Sequence, residues 1–515
     1  MARREHDARP RRPRRRRPAA IAAAAVIAAS LGLLPATAAA VPAAPAATTA
    51  ATGPNLTYVV NTRGGLVTDT LVRHALTRAG GTLVTSYDRI GVLVATSRDP
   101  GFAAAMRKVW GVQSAGATRT APLPAESVAD EGAPKPLSAA QAAAAGRERA
   151  AGQDPLEPLQ WNLPAIRADK AHERTLGSRS VTVGVIDTGV DDTHPDIAPN
   201  FDRAASVDCV SGKPDTSPGA WRPTAQDSPH GTHVAGEIAA AKNGVGMTGV
   251  APGVRVAGIK VATPAGLFYT ESVVCGFMWA ADHGVDVTNN SYYTDPWYFN
   301  CIDDPDQKAL VEAVTRASRY AESRGTVNVA AAGNESYDLT APTLTDPSSP
   351  DDGTPVPREV DTAKCYDIPT ELPGVVTVSA TGAKGLKSSY SNYGNGVIDI
   401  AAPGGDSDAY QKPAPPARSG LILGTLPGGG WGYMAGTSMA TPHVVGVAAL
   451  IRSVHPHASA AAVKALLYGE ADARACGKPY DINGDGTVDA VCEGTARHNG
   501  FYGAGVADAL DAVRR

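Results

Sequence analysis

Between residues 181 and 380, short apolar runs alternate with longer segments whose apolar positions recur every three or four residues. The run 181–187 (VTVGVID) is mostly β-branched, as a strand covered on both faces requires. It is followed by a helical pattern at 230–241, a strand at 254–261, a helix at 269–283, a strand at 285–290, a helix at 307–323, and strands at 326–332 and 373–380. This alternation predicts a mostly parallel central sheet with helices on both faces, a three-layer α/β sandwich whose chemistry lies beyond the carboxyl ends of the strands. Polar stretches at about 202–228, 292–306, 336–366 and 404–430 read as surface insertions, where added length costs little stability.

Upstream the pattern changes. Residues 56–61 alternate like a half-buried strand, 66–79 have a helical period, 81–87 and 91–96 read as two further strands, and 103–109 as a second helix. The prediction is a small α+β unit over 56–115, marginal alone at that size. Ala/Pro/Thr-rich residues 41–55 should lack fixed structure. Residues 116–158, rich in Ala, Pro and acids, read as a protease-accessible linker with one helical pattern at 138–150, and 159–515 form the main domain.

The chain of 515 residues is too long for one compact core, which agrees with this division. Arginines at 3, 4, 9, 11, 12 and 14–17 precede an apolar run at 19–34 and then small residues. That order predicts a signal peptide over 1–40, by the general or the twin-arginine route, and a secreted product. The apolar run is too short to be a stable membrane anchor. The formal charge is −4; without the nine arginines and two acids of 1–40 the remainder carries −11, which argues against nucleic acid as a partner. All six cysteines lie beyond residue 200, and in an exported chain they read as disulfides. Proximity suggests only Cys476 with Cys492. No repeats are present, which excludes an adhesion array, and a monomer is expected.

The chemistry gathers at strand ends and helix starts. In GYMAGTSMATPHVVGVAAL (432–450), a glycine turn delivers Ser438 to the head of an apolar helix, where free N–H groups and the helix dipole favour developing negative charge. Pro442 lacks the N–H that would bond the Ser438 carbonyl, which a first helical turn tolerates. Asp187 ends the first strand of the domain. His230 opens a helix and faces the same rim, whereas His233 points one turn deeper into packing. Asn334 follows a strand and a glycine, offering an amide donor nearby.

The order Asp187, His230, Asn334, Ser438, in the texts DTG, HGTHVAG, AAAGN and GTSMATPHV, resembles the subtilisin-like serine peptidases, or subtilases. THPDI, GVAP and PGVVTVSAT add to the likeness, which covers roughly residues 159–467. The resemblance implies a secreted endopeptidase acting on proteins or peptides, with Ser438 as nucleophile, His230 as general base, Asp187 orienting it, and Asn334 with the Ser438 N–H holding the oxyanion. It implies that 56–115 is a propeptide, chaperone and inhibitor of its own enzyme, cut off within 116–158. It also assigns substrate backbone pairing to Ser291, Tyr292 and Tyr293, where tyrosines replace the usual small apolar residue and glycine; Tyr293 would either narrow the pocket or swing outward, and a restricted pocket is the expectation. An alternative is a catalytically silent module that binds peptides in the same cleft.

Near the carboxyl end, within the acidic loop 476–493, Asp481, Asn483, Asp485 and Asp489 stand at EF-hand loop positions 1, 3, 5 and 9, with Gly486 at 6 and Thr487 completing the candidate set. This predicts a structural Ca²⁺ site. The pattern departs at position 12, where Cys492 replaces the bidentate glutamate and Glu493 comes one place late.

Overall fold

The run expected to be a strand covered on both faces is one: every residue of Thr182–Asp187 is buried. This computed structural model describes residues 53–122, 133–477 and 480–514. The expected signal peptide, and the sequence up to residue 52, lie outside the described residues.

In chain order, β1 (Leu56–Thr62), α1 (Leu66–Arg78), β2 (Gly81–Tyr87), β3 (Val92–Ser97), α2 (Phe102–Met106) and β4 (Val112–Ala117) make an antiparallel sheet of order β2-β3-β1-β4 with two helices. β4 goes beyond the sequence reading, because VQSAGA carries too few apolar residues to register as a strand. Then come β5 (Lys135–Pro136), α3 (Ala139–Glu148), α4 (Asn162–Ala165) and α5 (Ala168–His172). A capping box between Ser138 and Gln141 starts α3.

The main domain runs through β6 (Thr182–Asp187), β7 (Val207–Asp208), α6 (His230–Ala239), β8 (Arg255–Lys260), α7 (Thr270–Asp282), β9 (Val287–Asn290), β10 (Asn300–Cys301), α8 (Pro305–Ser323) and β11 (Val327–Ala331). It continues with the hairpin β12 (Thr343–Asp346) and β13 (Arg358–Asp361), then β14 (Cys365–Tyr366), β15 (Val376–Thr381), β16 (Ile400–Pro403), α9 (Asp408–Gln411), β17 (Ile422–Leu426), β18 (Gly430–Met434) and α10 (Thr437–Val454). Seven strands form one sheet of order β16-β15-β11-β9-β6-β8-β7, parallel throughout. Consecutive residues of a strand face opposite ways, so each strand feeds two cores. Val183 and Val185 pack with α6 and α10, while Ile186 joins Ile259, α7 and α8 on the other face. That is the predicted three-layer sandwich.

The same alternation docks the N-terminal unit. Tyr58 and Val60 pack under its own helices with Leu76, Phe102 and Met106, whereas Val59 and Val92 join the core built by α7 and α8. Asn61 Nδ2 donates to the Ala309 carbonyl at 2.9 Å, and Arg316 Nη1 reaches the carbonyls of Thr62, Ile90 and Gly91 at 2.8, 3.0 and 3.1 Å.

Part of the stretch expected to be an open linker is built into the domain. β5 pairs with β18 in a sheet of order β17-β18-β5, and Ala145, Leu156 and Leu159 are buried against Met247, Leu423 and Tyr433. Residues 123–132 lie outside the described residues. The insertions also hold structure: β10 pairs with β14, and the disulfide Cys301–Cys365 joins them. Cys209–Cys275 and the suggested Cys476–Cys492 complete three bridges.

Candidate active site

β6 brings Asp187, fully buried, to the carboxyl edge of the sheet, and α6 begins beside it with His230. His230 Nδ1 lies 2.9 and 3.1 Å from the two carboxylate oxygens. One of those oxygens also accepts the Thr188 N–H at 2.7 Å. Gly231 permits the approach: a methyl group there would stand 2.5 Å from the Gly189 carbonyl oxygen and 3.0 Å from the carboxylate itself. His233 sits one turn deeper, as expected, between Glu237 Oε1 at 2.7 Å and the Gly432 carbonyl at 3.2 Å. Burial pushes its imidazole down to about 3 and the Glu237 carboxyl well above the usual carboxylate range, which disfavours charge on either group.

Ser438 is the second residue of α10, after Gly436, and is half-buried. Its Oγ donates to the Ser291 carbonyl at 3.4 Å. In return, Ser291 Oγ donates at 3.0 Å to the Ser438 carbonyl, the group that Pro442 leaves without a helical partner. The orphan carbonyl was legible from Pro442; its donor, 147 residues away, was not. Beyond β11, Gly333 adopts a positive φ of 96°, and the chain turns to present Asn334 at the surface. Asn334 Oδ1 accepts from both the N–H and the hydroxyl of Thr437 at 2.9 Å. With the oxygen fixed in this way, the Nδ2 end is the one free to donate. Thr437, which sets this orientation, was missed by the sequence reading.

Both tyrosine rings have partners within the protein. Tyr292 is buried, stacked on Phe268 with centroids 4.5 Å apart, and its hydroxyl donates to Asn290 Oδ1 at 3.0 Å, so its ring belongs to the core rather than to an open groove. Tyr293 leans on Tyr298 and donates to Asp351 at 2.8 Å, turning toward the 336–366 insertion.

In the loop 481–489 the side-chain oxygens hold the turn. Asp481 accepts the N–H groups of Gly484 and Gly486 at 2.7 and 2.9 Å, Asn483 that of Asp485 at 2.9 Å, Asp485 that of Thr487 at 2.7 Å, and Asp489 that of Ile482 at 2.9 Å. Among the described residues no cluster of three or more His, Cys, Asp or Glu side chains gathers to hold a metal. The donor set is all oxygen and largely exposed, a chemistry that suits a hard divalent cation.

The profile of the subtilase family matches residues 178–505. The chain belongs to the subtilase family. This subtilase is 32% identical to the M-protease of Shouchella clausii over 300 residues, which are 58% of its own chain and 61% of the relative. It is equally similar to Subtilisin Savinase of Lederbergia lenta, over 58% of its own chain and 86% of the relative. Among solved structures, the epidermin leader peptide processing serine protease of Staphylococcus aureus shares the fold, with a TM-score of 0.62 at 21% identity, covering 90% of this subtilase and 98% of that chain. Asp187, His230, Asn334, Ser438 and the loop 481–489 all fall inside the family match, while β1–β4 and α3 precede it.

Proposed function

We propose that the protein is a secreted serine endopeptidase made as a zymogen. The observation that carries this reading is the buried Asp187–His230 pair at the rim where α10 presents Ser438 beside an amide oriented by Thr437. When a peptide binds, Ser438 Oγ turns from the Ser291 carbonyl to His230 Nε2, loses its proton to that nitrogen and attacks the scissile carbonyl. Asp187 holds the imidazole in the required tautomer and stabilises its charged form. Asn334 Nδ2 and the Ser438 N–H stabilise the oxyanion at the head of a long helix, where the dipole adds to the effect. His230 then protonates the leaving amine, and water hydrolyses the acyl-enzyme.

The unit 56–117 serves as propeptide. Its sheet covers α7 and α8, the kind of support that a marginal 60-residue unit needs. The loop 481–489 would hold a structural calcium ion through Asp481, Asn483, Asp485, Thr487 and Asp489. Calcium there would supply rigidity and no chemistry.

The test is Ser438→Ala in the full chain. Folded protein without peptide hydrolysis, and without the fluorophosphonate labelling that the parent shows, is expected. Hydrolysis that survives the substitution would rule out this nucleophile, and a parent that never labels points to the silent peptide-binding module.

A further inference from the structure

The last residues of the N-terminal unit leave their own sheet and lie on the main domain. Thr118 still bonds to the Thr57 carbonyl at 2.9 Å, but the guanidinium of Arg119 stands 4.1 Å over the ring of Tyr269 and is ion-paired to Glu271. The pair is almost dry, with the Arg119 side chain 10% exposed and that of Glu271 2%. Next, the Thr120 N–H donates to Asp352 Oδ2 at 2.7 Å, its hydroxyl to Oδ1, and the Ala121 N–H to the same carboxylate at 3.4 Å.

The groups that receive this segment all belong to the main domain. Tyr269 and Glu271 flank the start of α7, and Gly212 packs against Glu271 in a loop tied to α7 by Cys209–Cys275. Asp352 follows Asp351, the acceptor of the Tyr293 hydroxyl, and Tyr293 is two residues from Ser291, which exchanges hydrogen bonds with Ser438. The seat therefore lies along the wall that leads to the nucleophile. Among the described residues Arg119 is the only cation paired with Glu271, and Glu271 Oε2 has no hydrogen-bond partner. A carboxylate so enclosed needs a cation, and a guanidinium that can lie flat on Tyr269 meets the geometry better than an ammonium.

We propose that Glu271, Tyr269 and Asp352 form an extended substrate subsite, which takes an arginine on the amino side of the scissile bond and the backbone amides that follow it. Arg119 occupies it until the N-terminal unit is released. This rests on the endopeptidase reading above. The amino side follows from direction, since 118–121 runs from the docked sheet toward the Tyr293 wall.

The experiment uses the mature enzyme and a set of otherwise identical fluorogenic peptides carrying one arginine at each of about eight upstream positions, with alanine and lysine controls. One register is expected to raise kcat/KM about tenfold or more over alanine, with lysine weaker. Glu271→Gln should abolish that gain, and Asp352→Asn should lower kcat/KM for the preferred peptide. Cleavage of the whole set with no preferred register would show that Arg119 only anchors the N-terminal unit, and would overturn the subsite while leaving the peptidase standing. If no peptide is cleaved, both readings fall together.

Discussion

At Gly231, a hydrogen atom in place of a methyl lets the α6 helix start against Asp187. Gly231→Ala is expected to push His230 out of register and lower kcat about a hundredfold, since misplacement by about 1 Å costs that much; steady-state kinetics with thermal melting as control would check it. Asn334→Ala should lower turnover about 10²–10³-fold with KM little changed, a magnitude carried over from subtilisin itself. The four central residues were legible because each is placed by local rules: a carboxylate ends a strand, a histidine and a serine open helices, an asparagine follows a glycine turn. The settings of their neighbours were not. The Ser291–Ser438 exchange spans 147 residues, and the direction of Tyr293 depends on Asp351, 58 residues away. Periodicity carries no information about such pairs.

Among the elements, the alternation was readable for β6, β8, β9, β11 and β15, but it missed β16, which is buried at every residue, and strands that owe their existence to a partner. β4 is held by β1 and by α8, against which Gly116 packs so closely that an added methyl would meet the Asp306 backbone. β5 exists through β18. Arg316 joins α8 to three carbonyls of the N-terminal unit, so Arg316→Ala should weaken the unit's hold and bring earlier or leakier activity, measured as activity against time after expression. Because β5, α3 and residues 154–159 are packed into the domain, N-terminal sequencing of the secreted form should place its first residue at or before Lys135. The loop 481–489 should behave as a separable element: chelation is expected to lower the melting temperature, calcium to restore it, and Asp485→Ala to remove the response.

For the molecule as a whole, the carboxyl-terminal segment packs around a buried lysine. Lys387 is fully buried, its Nζ facing the rings of Tyr393, Tyr480 and Phe501 and donating to the Ser388 carbonyl at 3.1 Å. Burial pushes its amine down to about 7, with Asp406 and Asp489 opposing. An amine lowered in this way binds fewer protons when folded than when unfolded. Stability should therefore rise with pH from about 7 to the unfolded value of about 10.4, by at most about 1.4 kcal/mol per unit, because the rings favour the charged form. Chemical denaturation across that range should show this rise in the parent and lose it in Lys387→Met. The hairpin β17–β18 without β5 would offer an open row of amides and carbonyls, a template on which a second copy could grow. Two residues seal that row, and Pro136, which has no N–H to give, discourages further growth there. The fold thus carries its own guard against sticking to itself, provided that trimming spares Lys135 and Pro136.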